Sequence, residues 1–281
     1  MGNGIMDKLY SVLMSVYGGE RSEYLHAALT SIINQTLAPD EIILVCDGPL
    51  TEPLEQVVKY FKNYLTLVRL PDNRGLGNAL AEGIEYCKHE WIARMDSDDI
   101  AASDRCERQL EYVKNHPEVD VLSGTLAEFI GDALTVEEAV RHVISYKSLP
   151  ALHQEIGEYI KYRNPINHPC VMFRKTKVLE AGNYQSCALF EDYYLWVRMY
   201  RKHSIFANLD ETILYMRIND MHRRRGGVRY VKAITRFWTR MYRCGMIALP
   251  QYLFTIISRV LVSLMPNQIR KIIYDKKLRN H

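Results

Sequence analysis

A chain of 281 residues that is 48% hydrophobic and 25% charged can bury one large core and is too apolar to be disordered. Its six cysteines (Cys46, Cys87, Cys106, Cys170, Cys187, Cys244) are scattered without a CxxC pair, which argues against a disulfide framework and points to reduced thiols in a cytoplasmic protein. The net charge of +3 hides a division: residues 1–216 sum to −10, while residues 217–281 carry 15 Lys and Arg against 2 Asp and Glu, so the tail is expected to meet something anionic.

Met1–Asp7 is short, with no apolar core of the secretory kind. Leu9–Val16 then reads as a strand and Tyr24–Gln35 as a helix with Leu25, Leu29, Ile32 and Ile33 on one face. Glu41–Cys46 is a continuous apolar run, the mark of a strand covered on both sides. Leu54–Tyr64 reads as helix, Thr66–Leu70 as strand, Gly75–Cys87 as helix and Trp91–Met95 as strand. Asp104–Asn115 is a helix stopped before Pro117, and Val119–Gly124 a fifth apolar strand. Strands separated by helices of this length predict an α/β fold with a mostly parallel sheet, which binds ligands at the C-terminal ends of its strands. Tyr17, Asp47 and Asp96–Asp99 all fall at that edge.

Beyond residue 125 the pattern is less regular. Ala127–Thr135 reads as a hairpin, Leu149–Tyr162 as helix and Cys170–Phe173 as strand. An amphipathic helix led by Glu191-Asp192 lies within Phe190–His203. Ser204–Leu209 and Thr212–Arg217 read as two short strands, Gly226-Gly227 as a turn, and the remainder as basic helix.

Asp96-Ser97-Asp98-Asp99 places three carboxylates in four residues after a buried strand. Such mutual repulsion is relieved by a divalent cation, and Mg²⁺ or Mn²⁺ shared between protein carboxylates and substrate phosphates is the usual form. A solvated acidic turn is the alternative.

Five segments together resemble family 2 glycosyltransferases. Val12-Leu13-Met14-Ser15-Val16-Tyr17 with Ser31–Thr36 resembles their opening, and Val45–Pro49 their nucleotide-binding turn. Asn73–Leu80 resembles their third motif, Met95–Asp99 their DxD site, and Phe190–Trp196 the ED motif. Val16 replaces the usual proline, Gly48-Pro49 departs from Gly-Ser, and the QxxRW signature of processive synthases is absent. The resemblance implies a GT-A fold, a nucleotide-sugar donor, a divalent metal, inversion at the anomeric carbon and one sugar per encounter.

It also implies roles. Asp192 is the expected general base, with Glu191 beside it; helix N-terminal carboxylates complementing the dipole are the plainer alternative. Asp98, Asp96 and His222 are the expected metal ligands, with Asp99 ligating or supporting. The donor-binding set is Ser15, Tyr17, Glu20, Asp47, Arg74, Asp96, Ser97 and Arg224. Asp47 suits the ring N–H of a base such as uracil, and family grounds favour UDP. His168 reads better as a satisfied core histidine than as an acceptor contact.

Residues 7–225 are expected to form the transferase domain and 226–281 a basic amphipathic helical extension. Leu249–Leu264 is apolar at helical spacing, too short to span a bilayer, and flanked by Lys and Arg. It suits either an anionic membrane surface at the inner face of the cell membrane or packing on the core. The expected acceptor is an undecaprenyl-diphosphate-linked saccharide, as in O-antigen or capsule assembly. Competing readings are a nucleotidylyltransferase, weakened by the lack of a glycine-rich phosphate loop near the N-terminus, and a basic nucleic-acid-binding protein. The latter is disfavoured by the acidic body and by arginines not interleaved with aromatics, so no nucleic-acid partner is expected.

Overall fold

The computed structural model describes residues 9–219 and 227–264. Strands β1 (Ser11–Tyr17), β2 (Glu41–Asp47), β3 (Leu65–Arg69) and β4 (Trp91–Asp96) lie parallel in the order β3-β2-β1-β4. Their crossovers are α1 (Ser22–Ile33), α2 (Glu52–Tyr60) and α3 (Leu76–Tyr86). Side chains alternate across the sheet, as a period of two requires. Val12 and Met14 of β1 join Leu25, Leu29 and Ile32 of α1 in one cluster, while Leu13 joins Leu80 and Ile84 of α3 in the other. Every residue of β2 is buried, because both faces are covered.

The parallel series stops at β4. The acidic turn leads into a two-residue β5 (Ile100–Ala101) and helix α4 (Arg105–Asn115). Strand β6 (Val121–Phe129), the expected fifth strand, is not a neighbour of β4: β8 (Met172–Arg174) inserts between them, antiparallel to both. The sheet is therefore parallel on one side and mixed on the other. The expected hairpin at Ala127–Thr135 is larger than its residues suggested. Thr135 caps α5 (Val136–Arg141) by accepting from the Glu138 N–H, and β6 pairs with β7 (Val143–Lys147) across that helix. The two short strands expected at 204–217 are one strand, β9 (Phe206–Arg217), parallel to β6. Its register jumps from Leu209 to Thr212, and exposed Asp210-Glu211 forms the bulge that looked like a break.

Helices α6 (His153–Tyr159) and α7 (Lys175–Glu180) precede α8 (Glu191–Arg201). Gly227 opens α9 (Gly227–Arg243) instead of forming a turn, and α10 (Leu249–Leu264) follows. Phe237 and Trp238 of α9 are buried in the same cluster as α3 and α8; Phe237 stacks on Phe190 at 4.8 Å. Helix α10 packs back on α9, with Tyr252 stacked on Tyr242 at 5.2 Å and the Arg259 guanidinium 5.0 Å from the Trp238 ring. No described helix is long and apolar enough to cross a membrane. All six cysteines are unpaired, five of them buried.

Candidate active site

Sheet register aligns the predicted residues. Tyr17 is paired with Asp47 across β1 and β2, and Ser15 with Asp96 across β1 and β4. Asp47 is buried, and its two oxygens accept from the backbone N–H groups of Arg74 at 2.7 Å and Gly75 at 3.0 Å. Those bonds tie the end of β2 to the loop that opens α3, a use the sequence did not suggest, and leave the remaining lone pairs for a ligand. Gly48 serves the same approach. Its φ is +87°, and a Cβ there would lie 2.8 Å from the Asn73 nitrogen. Tyr17 is 43% exposed and lies over Gly19, and the half-exposed Arg74 side chain reaches Asp72 at 3.9 Å. Glu20 accepts from the Ser97 hydroxyl at 3.1 Å, linking the β1–α1 loop to the acidic turn.

Two buried arginines organise that turn. Arg94, two residues before Asp96 on β4, is 1% exposed and grips both Asp96 oxygens with Nη1 and Nη2. Arg217 at the end of β9 donates its backbone N–H to Asp99 Oδ1 at 2.9 Å and its Nε to the Asp98 carbonyl at 3.1 Å. Its guanidinium lies 3.7 Å from the Tyr24 ring centroid. Burial, then the neighbouring charges of Asp96 and Glu20, push the Asp98 carboxyl up to about 7. Burial, then the charges of Asp98 and Asp96, hold the Asp99 carboxyl well above its ordinary value.

One oxygen from each of Asp96, Asp98 and Asp99 lies within 4.8 Å of the others, and the buried Asp99 Oδ2 has no hydrogen-bond partner among the described residues. An orphaned carboxylate oxygen among crowded anions fits a hard divalent cation with oxygen ligands, such as Mg²⁺ or Mn²⁺. Asp99 is thus both support, through Oδ1, and candidate ligand, through Oδ2. Asp96 already has a cation in Arg94. The expected contributions of His222 and Arg224 fall outside the described residues.

Glu191 and Asp192 open α8 and diverge, since adjacent helix residues point about 100° apart. Glu191 lies on α3, where a Cβ on Gly77 would come within 2.8 Å of its Cγ. Half-buried Asp192 turns the other way and accepts from Asn164 Nδ2 at 2.6 Å. Burial raises both carboxyls; for Asp192 the Tyr193 N–H, Asn164, Arg94 and Lys147 oppose it.

Arg94 is the common neighbour. Its charge acts on Asp192 as well as on Asp96, and the buried Tyr184 senses Arg94, Asp192 and Asp96 together. Tyr184 in turn bonds His168 Nε2 at 2.7 Å, and burial followed by the Arg94 charge holds that imidazole well below its ordinary pKa. His168 is a satisfied core histidine, as its sequence context suggested. The acidic turn and the acidic pair therefore share one electrostatic neighbourhood across about a hundred residues of sequence. Sequence reading missed Arg94, Arg217, Asn164 and Tyr184. A lone arginine inside the apolar run Trp91–Met95, on the same strand face as Asp96, was the available signal; the loop residues Asn164 and Tyr184 gave none.

Known proteins resemble this chain over nearly its whole length. The chain is 39% identical over 273 residues to an uncharacterized glycosyltransferase of Haemophilus influenzae, covering 96% of this chain and 99% of that one. It is 38% identical to the amylovoran biosynthesis glycosyltransferase AmsE of Erwinia amylovora, covering 95% and 98%. It is 33% identical to an Escherichia coli UDP-Gal:alpha-D-GlcNAc-diphosphoundecaprenol beta-1,3-galactosyltransferase, covering 96% of each. Among solved structures, TarS 1–349 of S. aureus in complex with UDP-GlcNAc superposes with a TM-score of 0.66 at 16% identity, over 96% of this chain and 76% of that one. The fold is thus the GT-A fold expected from the motifs. The "Glycosyl transferase family 2" model matches residues 11–182, from β1 through the acidic turn and past β8, and with these full-length relatives it makes the chain a member of that family.

Proposed function

We propose that the protein transfers one sugar from a UDP-sugar to a saccharide carried on undecaprenyl diphosphate, with inversion, in the assembly of a surface polysaccharide. What supports this reading is Arg94, which grips Asp96 and whose charge also opposes the burial that raises Asp192. In this reading Asp192, oriented by Asn164, accepts the proton of the acceptor hydroxyl as its oxygen attacks the anomeric carbon from the face opposite the leaving diphosphate. Tyr17, Asp47 and Arg74 border the nucleoside, with Ser15, Glu20, Ser97 and Asp96 beneath the phosphates. A divalent ion held by Asp98 and Asp99, beside Asp96, would neutralise charge on the leaving diphosphate when bound. The E. coli and S. aureus relatives, by what their names say they act on or contain, favour UDP-sugars and a diphosphoundecaprenol acceptor. The PcManGT mannosyltransferase of Pyrobaculum calidifontis, with a TM-score of 0.62 at 13% identity over 95% of this chain and 73% of that one, was solved with GDP-Man and Mn²⁺.

We also assign the 226–281 extension to the anionic inner face of the cell membrane. Leu249, Leu253, Ile257 and Leu261 form an exposed stripe at every fourth residue of α10, with Phe254 beside it, opposite the face packed on α9.

The test is nucleotide release from UDP-, GDP- and dTDP-sugars, with Mg²⁺ or Mn²⁺ and with or without a prenyl-diphosphate-linked saccharide. Acceptor-dependent release from a UDP-sugar, abolished by EDTA and restored by either ion, is expected. Release that ignores the acceptor, or persists in EDTA, would refute the mechanism.

A further inference from the structure

One face of α9 has no part in the chemistry above. The helix turns Tyr230, Ile234, Phe237, Trp238 and Met241 into the core. Its other face carries Lys232, Arg236 and Arg240 at four-residue intervals, then Arg243 three residues on. All four line one open groove of about 550 Å³. Helix α9 contains no acidic residue. Among the described residues, none of the four cations lies within ion-pair distance of a carboxylate. Four like charges on one helix face repel one another, and an anion in the groove relieves that repulsion. Arg236 and Arg240 are about 6 Å apart along the helix axis. Their planar, multidentate guanidinium groups suit the paired phosphoryl groups of a diphosphate.

The ridge is anchored beside the acidic pair. Arg240 Nη1 donates to the Ser186 carbonyl at 3.0 Å, and its guanidinium lies 4.7 Å from the Tyr194 ring centroid. Phe190, which precedes Glu191 and Asp192, stacks at 4.8 Å on Phe237, the residue after Arg236. Burial raises the Cys187 thiol, and the charges of Arg240 and Arg236 oppose that rise while Glu191 adds to it. A group bound on the ridge is thus held beside the start of α8, close to the acidic pair.

We propose that Lys232, Arg236, Arg240 and Arg243 bind the diphosphate of a polyprenyl-diphosphate-linked saccharide, so that its terminal sugar reaches Asp192. This rests on the acceptor class proposed above. The exposed stripe of the adjacent α10 receives the prenyl chain, and the distance from ridge to base selects acceptors by the length of saccharide between diphosphate and reacting hydroxyl.

The test variant is Lys232→Gln/Arg236→Gln, which alters two of the three exposed cations and leaves the Arg240 contacts intact. Farnesyl diphosphate is the probe, read by calorimetry against farnesol. Each lost charge-assisted contact is worth about tenfold in affinity. The variant is therefore expected to bind farnesyl diphosphate at least tenfold more weakly, to bind farnesol unchanged and to melt at the wild-type temperature, while Arg236→Lys, which keeps the charge and loses the fork, falls between the two. Equal affinity for farnesyl diphosphate overturns the proposal, as does an equal loss for farnesol. Vesicles of phosphatidylglycerol without prenyl diphosphate form a separate arm: a variant that loses these vesicles but keeps farnesyl diphosphate identifies a phospholipid headgroup site and also overturns it. The binding measurement needs no turnover. Failure of the transferase reading would show instead as a wild-type protein that binds the probe through the ridge and transfers no sugar.

Discussion

Asp192→Asn separates catalysis from folding at the position where both meet. The carboxamide oxygen still accepts from Asn164, so the 2.6 Å contact and the start of α8 persist, while the proton acceptor is lost. A positioned general base contributes about 10²–10⁴-fold, or about 3–5 kcal/mol of transition-state stabilisation. Burial raises the Asp192 carboxyl above its ordinary value of 3.8, so ionising it costs the folded state stability. That cost is absent well below the ordinary value, where both states are protonated, grows as pH rises past it and levels off above the folded-state value. The variant is therefore expected to be more stable than wild type at pH 7, equally stable near pH 3, and slower by two to four decades. Turnover by nucleotide release and melting temperature across pH 3–8, with nucleotide affinity as control, measure all three. Activity within threefold of wild type, or a variant less stable at pH 7, would refute the reasoning.

Asn164→Ala removes the hydrogen bond that opposes burial at Asp192, so the acid limb of the kcat/KM profile is expected to move to higher pH; an unmoved limb denies Asn164 a positioning role. Arg94→Met leaves Asp96 without its buried partner and is expected to cost about 3–5 kcal/mol in a denaturant titration, and a loss below about 1 kcal/mol would contradict the pairing. Gly77→Ala drives a methyl against Glu191 and is expected to cost about 1–3 kcal/mol and lower turnover, because α3 and α8 separate; a silent substitution would show that the helices do not meet there. Phe254→Ser/Ile257→Ser removes two exposed apolar side chains from α10, so partition onto anionic vesicles is expected to fall more than tenfold with turnover on a soluble acceptor unchanged, and equal partition would remove α10 from the membrane.

Much of the first half was legible because its cues are local. Continuous apolar runs bounded by turn residues mark β1, β2 and β4, and a parallel sheet then brings their C-terminal ends together without further information. The carboxylates of Asp96–Asp99 and Asp192 were visible as residue types whose crowding or placement needs a reason. Strand β8 was seen but not its position, since a three-residue strand cannot state which neighbours it pairs with. The same limit hid the true partner of β6 and joined two apparent strands into β9.

What the sequence by itself determined was therefore the inventory: the strand–helix alternation, the acidic turn, the acidic pair and the basic tail, each written in contiguous residues. Only the tertiary structure decided how they are wired. Arg94 pairs with Asp96 and acts on Asp192, Arg217 reaches back to Asp98 and Asp99, and Asp47 holds the loop before α3. Each of the last two links joins strand ends to distant loops, and the energy of a buried charge depends on what surrounds it in space, which neighbouring letters in the chain do not record.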